Sequence, residues 1–352
     1  MRASNRKILA LAIVATVAAI ACGTGSGSES EAGEGGSVTL VLGAYTTPRE
    51  AYGKAILPAF REHWKRTTGQ DVEFQESYQG SGAQSRAIVG GFEADIAALS
   101  LEADVDKIAD AGLITHDWRS GPHGGMVSNS IAVIAVRPGN PKGIRDWEDL
   151  ARPGLDVLTP DPKTSGGAQW NINALYGAAL RGHVAGVPAN DPAAAEEFLS
   201  RVFRNVRIMD KGARESITNF ERGVGDAAIT YENEVLVARL GGQEYDYVTP
   251  ASTILIQNPV ALIDRNVDAH GVREVAEAFV AFLHGPEAQR AFAEYGLRPV
   301  DESVAAETAA VYPSVEDLWT IDALGGWDKV ATEIYGSDGR FTRAFEAVRA
   351  AR

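Results

Sequence analysis

From Ser37 onward the chain repeats one local pattern: a short β-rich apolar run, a break of Gly, Ser or Pro, then a helical stretch. That alternation constrains the fold more than any other feature, because strands alternating with helices form a mostly parallel sheet covered by helices. Residues 38–42 (VTLVL), 71–75 and 95–99 read as strands, and about 48–67, 81–90 and 104–111 as the helices that follow them. The long apolar run 130–137 ends at Pro138 and reads as a strand that leaves this first set. A second α/β set follows, with strands at 156–159, 207–209 and 227–231 and helices at 147–151, 166–181, 192–203, 214–222 and from 231 through 240. Residues 253–256 offer a route back. The expected fold class is therefore α/β with two lobes, each a mostly parallel sheet flanked by helices, joined by a hinge of two chain crossings. Lobe 1 comprises 38–125 and 253–352, the C-terminal helices either joining it or bridging the lobes; lobe 2 is 126–252.

The first 37 residues read as an address. Arg2, Arg6 and Lys7 precede a run of fourteen uncharged residues, 8–21, which fits a secretory signal peptide and is short of the ~20 residues a membrane span needs. The chain's one cysteine, Cys22, follows directly. Ala19-Ile20-Ala21-Cys22 resembles the lipobox of bacterial lipoproteins, with Ala19 where Leu is usual, so Cys22 is the expected lipidation site. The tract GTGSGSESEAGEGG after it has no apolar face and reads as a flexible tether over 22–37. The resulting expectation is an exported protein held at the outer face of the cell membrane.

Composition excludes several classes. A net charge of −14 opposes nucleic-acid binding, which needs a dense basic face, although a local field can still attract a small anion. One cysteine leaves no disulfide framework and no multi-cysteine metal site. Six histidines show no HExxH spacing, and neither GxSxG nor GxxxxGK[ST] occurs, so neither a catalytic residue nor a cofactor is expected. The acidic pairs Glu196-Glu197 and Asp301-Glu302 read as solvated charges rather than a hydrolytic dyad. Tyr245-Asp246-Tyr247 is the only local metal-ligand candidate, with both tyrosines on one strand face, and no metal is expected.

The chemistry points to the starts of the helices. Thr47-Pro48-Arg49-Glu50 has the form of a capping box with Pro at the first helical position. Gly80-Ser81-Gly82, Thr164-Ser165-Gly166-Gly167 and Lys211-Gly212-Ala213 open three later helices, each after a strand. In open α/β sheets ligands bind beyond the carboxyl ends of strands, and a helix N-terminus presents unpaired N–H groups and partial positive charge. Two glycines at the start of one helix, Gly166 and Gly167, cost stability and let a small ligand touch the backbone.

These segments carry a resemblance. Tyr45 to Glu50, Gly80 to Gly82, Gly139 to Lys142 with Asp146 to Leu150, PDPKTSGGAQWN at 160–171, Gly212 to Arg214 and FERGVGDAAITYENE at 220–234 look like the sulfate-binding proteins of bacterial sulfate/thiosulfate ABC importers. The resemblance runs from about residue 40 to the C-terminus. It implies a periplasmic-binding-protein fold of type II, monomeric, closing on one dehydrated sulfate and docking on membrane permease subunits. Carried over by position, the sulfate donors are the N–H groups of Thr46, Ser81, Gly166, Gly167 and Ala213, the hydroxyl of Ser165 with that of Ser81 added, and the aromatic Tyr231. Thr46 stands where Asp is frequent, and Tyr231 where an indole N–H often contributes. Thiosulfate and molybdate share the charge and tetrahedral shape, and a ferric-ion binder or a hydrolase are the alternatives of other kinds. The physics agrees with the anion. Sulfate at pH 7 is a dianion with four acceptor oxygens and no proton, so donors alone satisfy it; hydrogen phosphate keeps a proton and needs an acceptor. An unmatched buried group costs about 1–3 kcal/mol, whereas each bond to a charged group contributes about 1.5–3 kcal/mol.

Overall fold

The computed structural model describes residues 36–351. The signal peptide over 1–21, the lipidation site Cys22 and nearly all of the tether lie outside the described residues. In chain order the elements begin with β1 (Val38–Tyr45), α1 (Arg49–Ala51), α2 (Leu57–Thr68), β2 (Val72–Gln79), α3 (Ser81–Val89), β3 (Ile96–Ala98) and α4 (Glu102–Asp110). Next come β4 (Met126–Val136), β5 (Val157–Pro160), α5 (Gly166–Leu180), α6 (Pro192–Arg204), β6 (Val206–Asp210), α7 (Ala213–Glu221), β7 (Ala227–Tyr231), α8 (Glu232–Leu240), β8 (Asp246–Val248) and β9 (Ser252–Leu262). The chain ends with α9 (Asp264–His270), α10 (Arg273–Leu283), α11 (Pro286–Glu294), α12 (Glu302–Thr308), β10 (Asp317–Trp319), α13 (Gly326–Glu333) and α14 (Arg340–Ala350).

The strands hydrogen-bond in the order β2-β1-β3-β9-β4-β7-β5-β6, with β10 on β9 and β8 on β4. Both ends of this series are parallel, β2-β1-β3 and β7-β5-β6, as crossover helices require. The middle is antiparallel, because β4 and β9 run between the two ends. The first part of β4 pairs with β9 and its last five residues with β7; the end of β9 turns to β3. The two expected crossings are thus single strands of eleven residues each, longer than the apolar runs that announced them.

Packing divides the same way. Leu40, Leu42, Phe60, Phe279 and Phe292 belong to the cluster on the β1 side, and Trp147, Trp170, Phe198, Phe203 and Ile229 to the one on the β5 side. The C-terminal helices follow the second cluster. On α14, Phe341 meets Phe203 at 5.1 Å between ring centroids, and Arg343 pairs with Glu196. On α13, Trp327 packs edge-on against Trp170 at 4.7 Å, while the helix also touches α4. The α14 helix thus packs on the β5 side, and α13 touches both that side and α4.

The helix expected over 48–67 is interrupted by a π turn at Tyr52–Ile56. Pro58 in the next turn has no N–H to donate and its ring crowds the carbonyl four residues back, so the preceding turn widens. The capping box is also corrected. Pro48 occupies the N-cap position with no side-chain cap bond, and among the described residues buried Thr47 Oγ1 makes no bond to the helix. Glu50 pairs instead with Arg214 far along the chain, an ionic partner that outcompetes a backbone N–H.

Candidate functional site

Five strand ends on one edge of the sheet supply the candidate residues: Thr46 follows β1, Ser81 follows β2, Ser165 to Gly167 follow β5, Ala213 follows β6 and Tyr231 closes β7. All seven are buried, Thr46 being the most exposed at 9%. At α5 the Ser165 Oγ accepts from Ala168 N at 3.4 Å, an N-cap bond that leaves the hydroxyl proton free. At α3 the cap is Gly80, without a side-chain bond, and at α7 it is Gly212. Among the described residues the N–H groups of Thr46, Ser81, Gly166, Gly167 and Ala213 donate to no acceptor. Five buried amides in that condition are unusual, since buried backbone donors are almost always paired.

Close backbone approaches bring these strand ends together from both sides. A Cβ on Gly80 would fall 2.5 Å from Thr164 O and 2.9 Å from Lys211 O, so no other residue fits there without moving main chain. Ala83 N donates to Thr164 O at 3.3 Å, and Thr164 Oγ1 donates to Lys211 O at 2.8 Å. A Cβ on Gly167 would lie 3.3 Å from Ala213 Cβ, 3.4 Å from Ser165 Oγ and 3.8 Å from Tyr231 Cε1. One on Gly212 would lie 3.6 Å from Thr46 Oγ1. Gly80 and Gly212 are therefore where the two strand sets meet, while Gly167 packs within the β5 side.

Charges stand one layer behind. The Ser81 hydroxyl donates to the buried Asp104 Oδ2 at 2.7 Å and accepts from Ser100 N at 3.0 Å, so its proton is committed and only its amide remains free. Lys107 Nζ lies 2.8 Å from Asp104 Oδ1. Arg214, one residue past Ala213, donates to both Glu50 oxygens at 3.2 and 2.9 Å. Its Nε sits 2.9 Å from Glu234 Oε2 but its N–H is not aimed at it, which makes an ionic contact rather than a hydrogen bond. Burial pushes the Glu234 carboxyl up to about 7, opposed mainly by Arg214. Burial likewise raises the Tyr231 phenol, which keeps its proton at neutral pH. No lysine or arginine side chain makes a recorded bond to any of the seven residues among those described.

The arrangement gathers donors that lack acceptors, and comparison with known proteins identifies the family. The model of the bacterial extracellular solute-binding protein family matches residues 40–298. The chain belongs to that family. It is 41% identical over 336 residues to a sulfate-binding protein of Synechococcus elongatus, covering 95% of this chain and 94% of the relative. A thiosulfate-binding protein of Pseudomonas aeruginosa is 32% identical over 86% of this chain and 90% of its own length. The solved sulfate-binding protein SubI of Mycobacterium tuberculosis superposes with a TM-score of 0.76 at 36% identity, covering 83% of this chain and 98% of SubI. The solute-binding family accounts for the architecture: an α/β fold of the type II periplasmic binding proteins. These relatives are binding proteins and not enzymes.

Other candidates have structural partners. Tyr245 packs edge-on against Phe220 at 5.4 Å, Tyr247 lies under Arg239, and Asp246 Oδ2 accepts from Gly139 N at 2.8 Å. Asp301 caps α12 through Val304 N, and Glu196 binds Arg340 and Arg343. Sequence reasoning missed Ser100, Asp104 and Trp170. Ser100 lies just past β3, so the rule that singled out the other strand ends applies to it too, but it lacks the neighbouring glycine that drew attention elsewhere. Asp104 and Trp170 carry no local signal; only the packing of α4 and α5 brings them to the site.

Proposed function

We propose that this extracellular solute-binding protein captures sulfate between two lobes and delivers it to the permease subunits of an ABC importer. The lobes in this reading are the β1 side (38–125 with 253 to about 316) and the β5 side (126–252 with 317–350), hinged at β4 and β9. The observation that carries the reading is the set of five acceptor-free buried amides, two from one side and three from the other, with the free proton of Ser165. Donors without charge suit a proton-free dianion, whose bonds contribute about 1.5–3 kcal/mol each, helped by the helix ends. The relatives named for sulfate and thiosulfate support the same ligand class. The export implied by the family fits a lipid on Cys22 and a tether to the membrane surface, with the protein working as a monomer.

Calorimetric titration of the purified protein with sulfate, thiosulfate, molybdate and phosphate tests this. Sulfate is expected to bind tightest and phosphate weakest; tighter phosphate binding overturns the donor-only argument. Gly167→Asp, which sets a carboxylate beside Ser165 and Ala213, is expected to abolish sulfate binding. Micromolar affinity in that variant means that the anion binds elsewhere.

A further inference from the structure

The phenol of Tyr231 has one partner among the described residues, the Ser100 hydroxyl across from it, at 2.6 Å between oxygens, and either can donate. Ser100 is held on every side. Its N–H donates to Ser81 Oγ at 3.0 Å, its carbonyl accepts from Trp170 Nε1 at 2.9 Å, and it is fully buried. Its Oγ also fills the space where a Cβ on Gly166 would come within 2.7 Å. Tyr231 is equally fixed, its ring edge-on to Tyr45 and bordering the space beside Gly167.

Two hydroxyls carry two protons but share one line between their oxygens, so one proton always points away from the pair. The Ser100 Oγ makes no other recorded hydrogen bond among the described residues. We infer that Ser100 is a positioning residue for the anion site: it donates to Tyr231, which turns the phenol proton toward the bound dianion. The arrangement forms a short chain, Ser100 to Tyr231 to anion, in which each donation polarises the next. A dianion selects this direction, because the opposite one would present a phenol lone pair to it. An indole at position 231 would need no such partner, since its N–H only donates.

This inference rests on the sulfate reading above. The test is sulfate calorimetry on the full protein and five variants: Ser100→Ala, Ser100→Cys, Tyr231→Phe and the doubles Ser100→Ala/Tyr231→Phe and Ser100→Ala/Tyr231→Trp. Tyr231→Phe is expected to weaken binding about tenfold or more, the worth of one bond to a charged group. Ser100→Ala is expected to lose a large part of that, and Ser100→Ala/Tyr231→Phe to be no weaker than Tyr231→Phe alone. Ser100→Cys keeps a polar side chain there but donates weakly, so it is expected to lose affinity. In Ser100→Ala/Tyr231→Trp the indole is expected to restore binding to within about threefold of the parent, as a self-sufficient donor should. Independent, additive losses, or an unchanged Ser100→Cys, overturn the assignment while leaving the sulfate reading intact. Failure of the unaltered protein to bind sulfate overturns both.

Discussion

Ser81 and Ser165 have the same local signature, a serine with glycine beside it at the start of a helix after a strand, yet they do different work. The Ser165 hydroxyl accepts from its own helix and keeps its proton uncommitted among the described residues. The Ser81 hydroxyl gives its proton to Asp104 and accepts from Ser100, leaving the amide as the only free donor. The difference comes from neighbours distant in sequence: α4 sets a buried carboxylate beside Ser81, and among the described residues no carboxylate accepts from Ser165. A hydroxyl at a helix start is thus left with a free proton or committed as a structural strut according to what packs behind it.

The contrast can be broken most forcefully where the two sides touch. Gly80→Ala places a Cβ 2.5 Å from Thr164 O and 2.9 Å from Lys211 O, both main chain. It is expected to hold the sides apart and weaken sulfate binding at least about a hundredfold, since several donors are lost together at about 1.5–3 kcal/mol each. Calorimetry checks it; a loss under about tenfold would mean that the contact does not matter for the bound state. The two serines then separate by substitution. Ser165→Ala removes a donor and is expected to cost about tenfold or more in affinity. Ser81→Ala keeps the amide and is expected to stay within about threefold, but to lower thermal stability by about 1–3 kcal/mol, because Asp104 and the Ser100 N–H lose a buried partner. Equal affinity losses in the two variants would erase the distinction.

The smallest effect lies behind the site. With its folded value near 7 against an ordinary 4.5, Glu234 holds a proton in the folded state that the unfolded chain has released between those pH values. Its contribution is fully present below pH 4.5 and fades as pH rises through about 7, by at most ~3 kcal/mol. Melting curves across pH 4.5–8 should fall more steeply for the parent than for Glu234→Gln. Parallel curves would show that Arg214 neutralises the carboxylate throughout.

The alternation after Ser37 indicated the α/β class, and hydroxyl or glycine markers after strands pointed to the starts of α3, α5 and α7, because turn chemistry and helix ends are written in adjacent residues; Thr46 and Tyr231 were named only by the family resemblance. Pairing between β4 and β9, the return of α14 to the β5 side, the Glu50 to Arg214 ion pair that displaced a local cap, and the partnership of Ser100 with Tyr231 were decided in three dimensions. Each joins residues tens to hundreds of positions apart, where no periodicity or spacing operates and only packing chooses which polar groups meet.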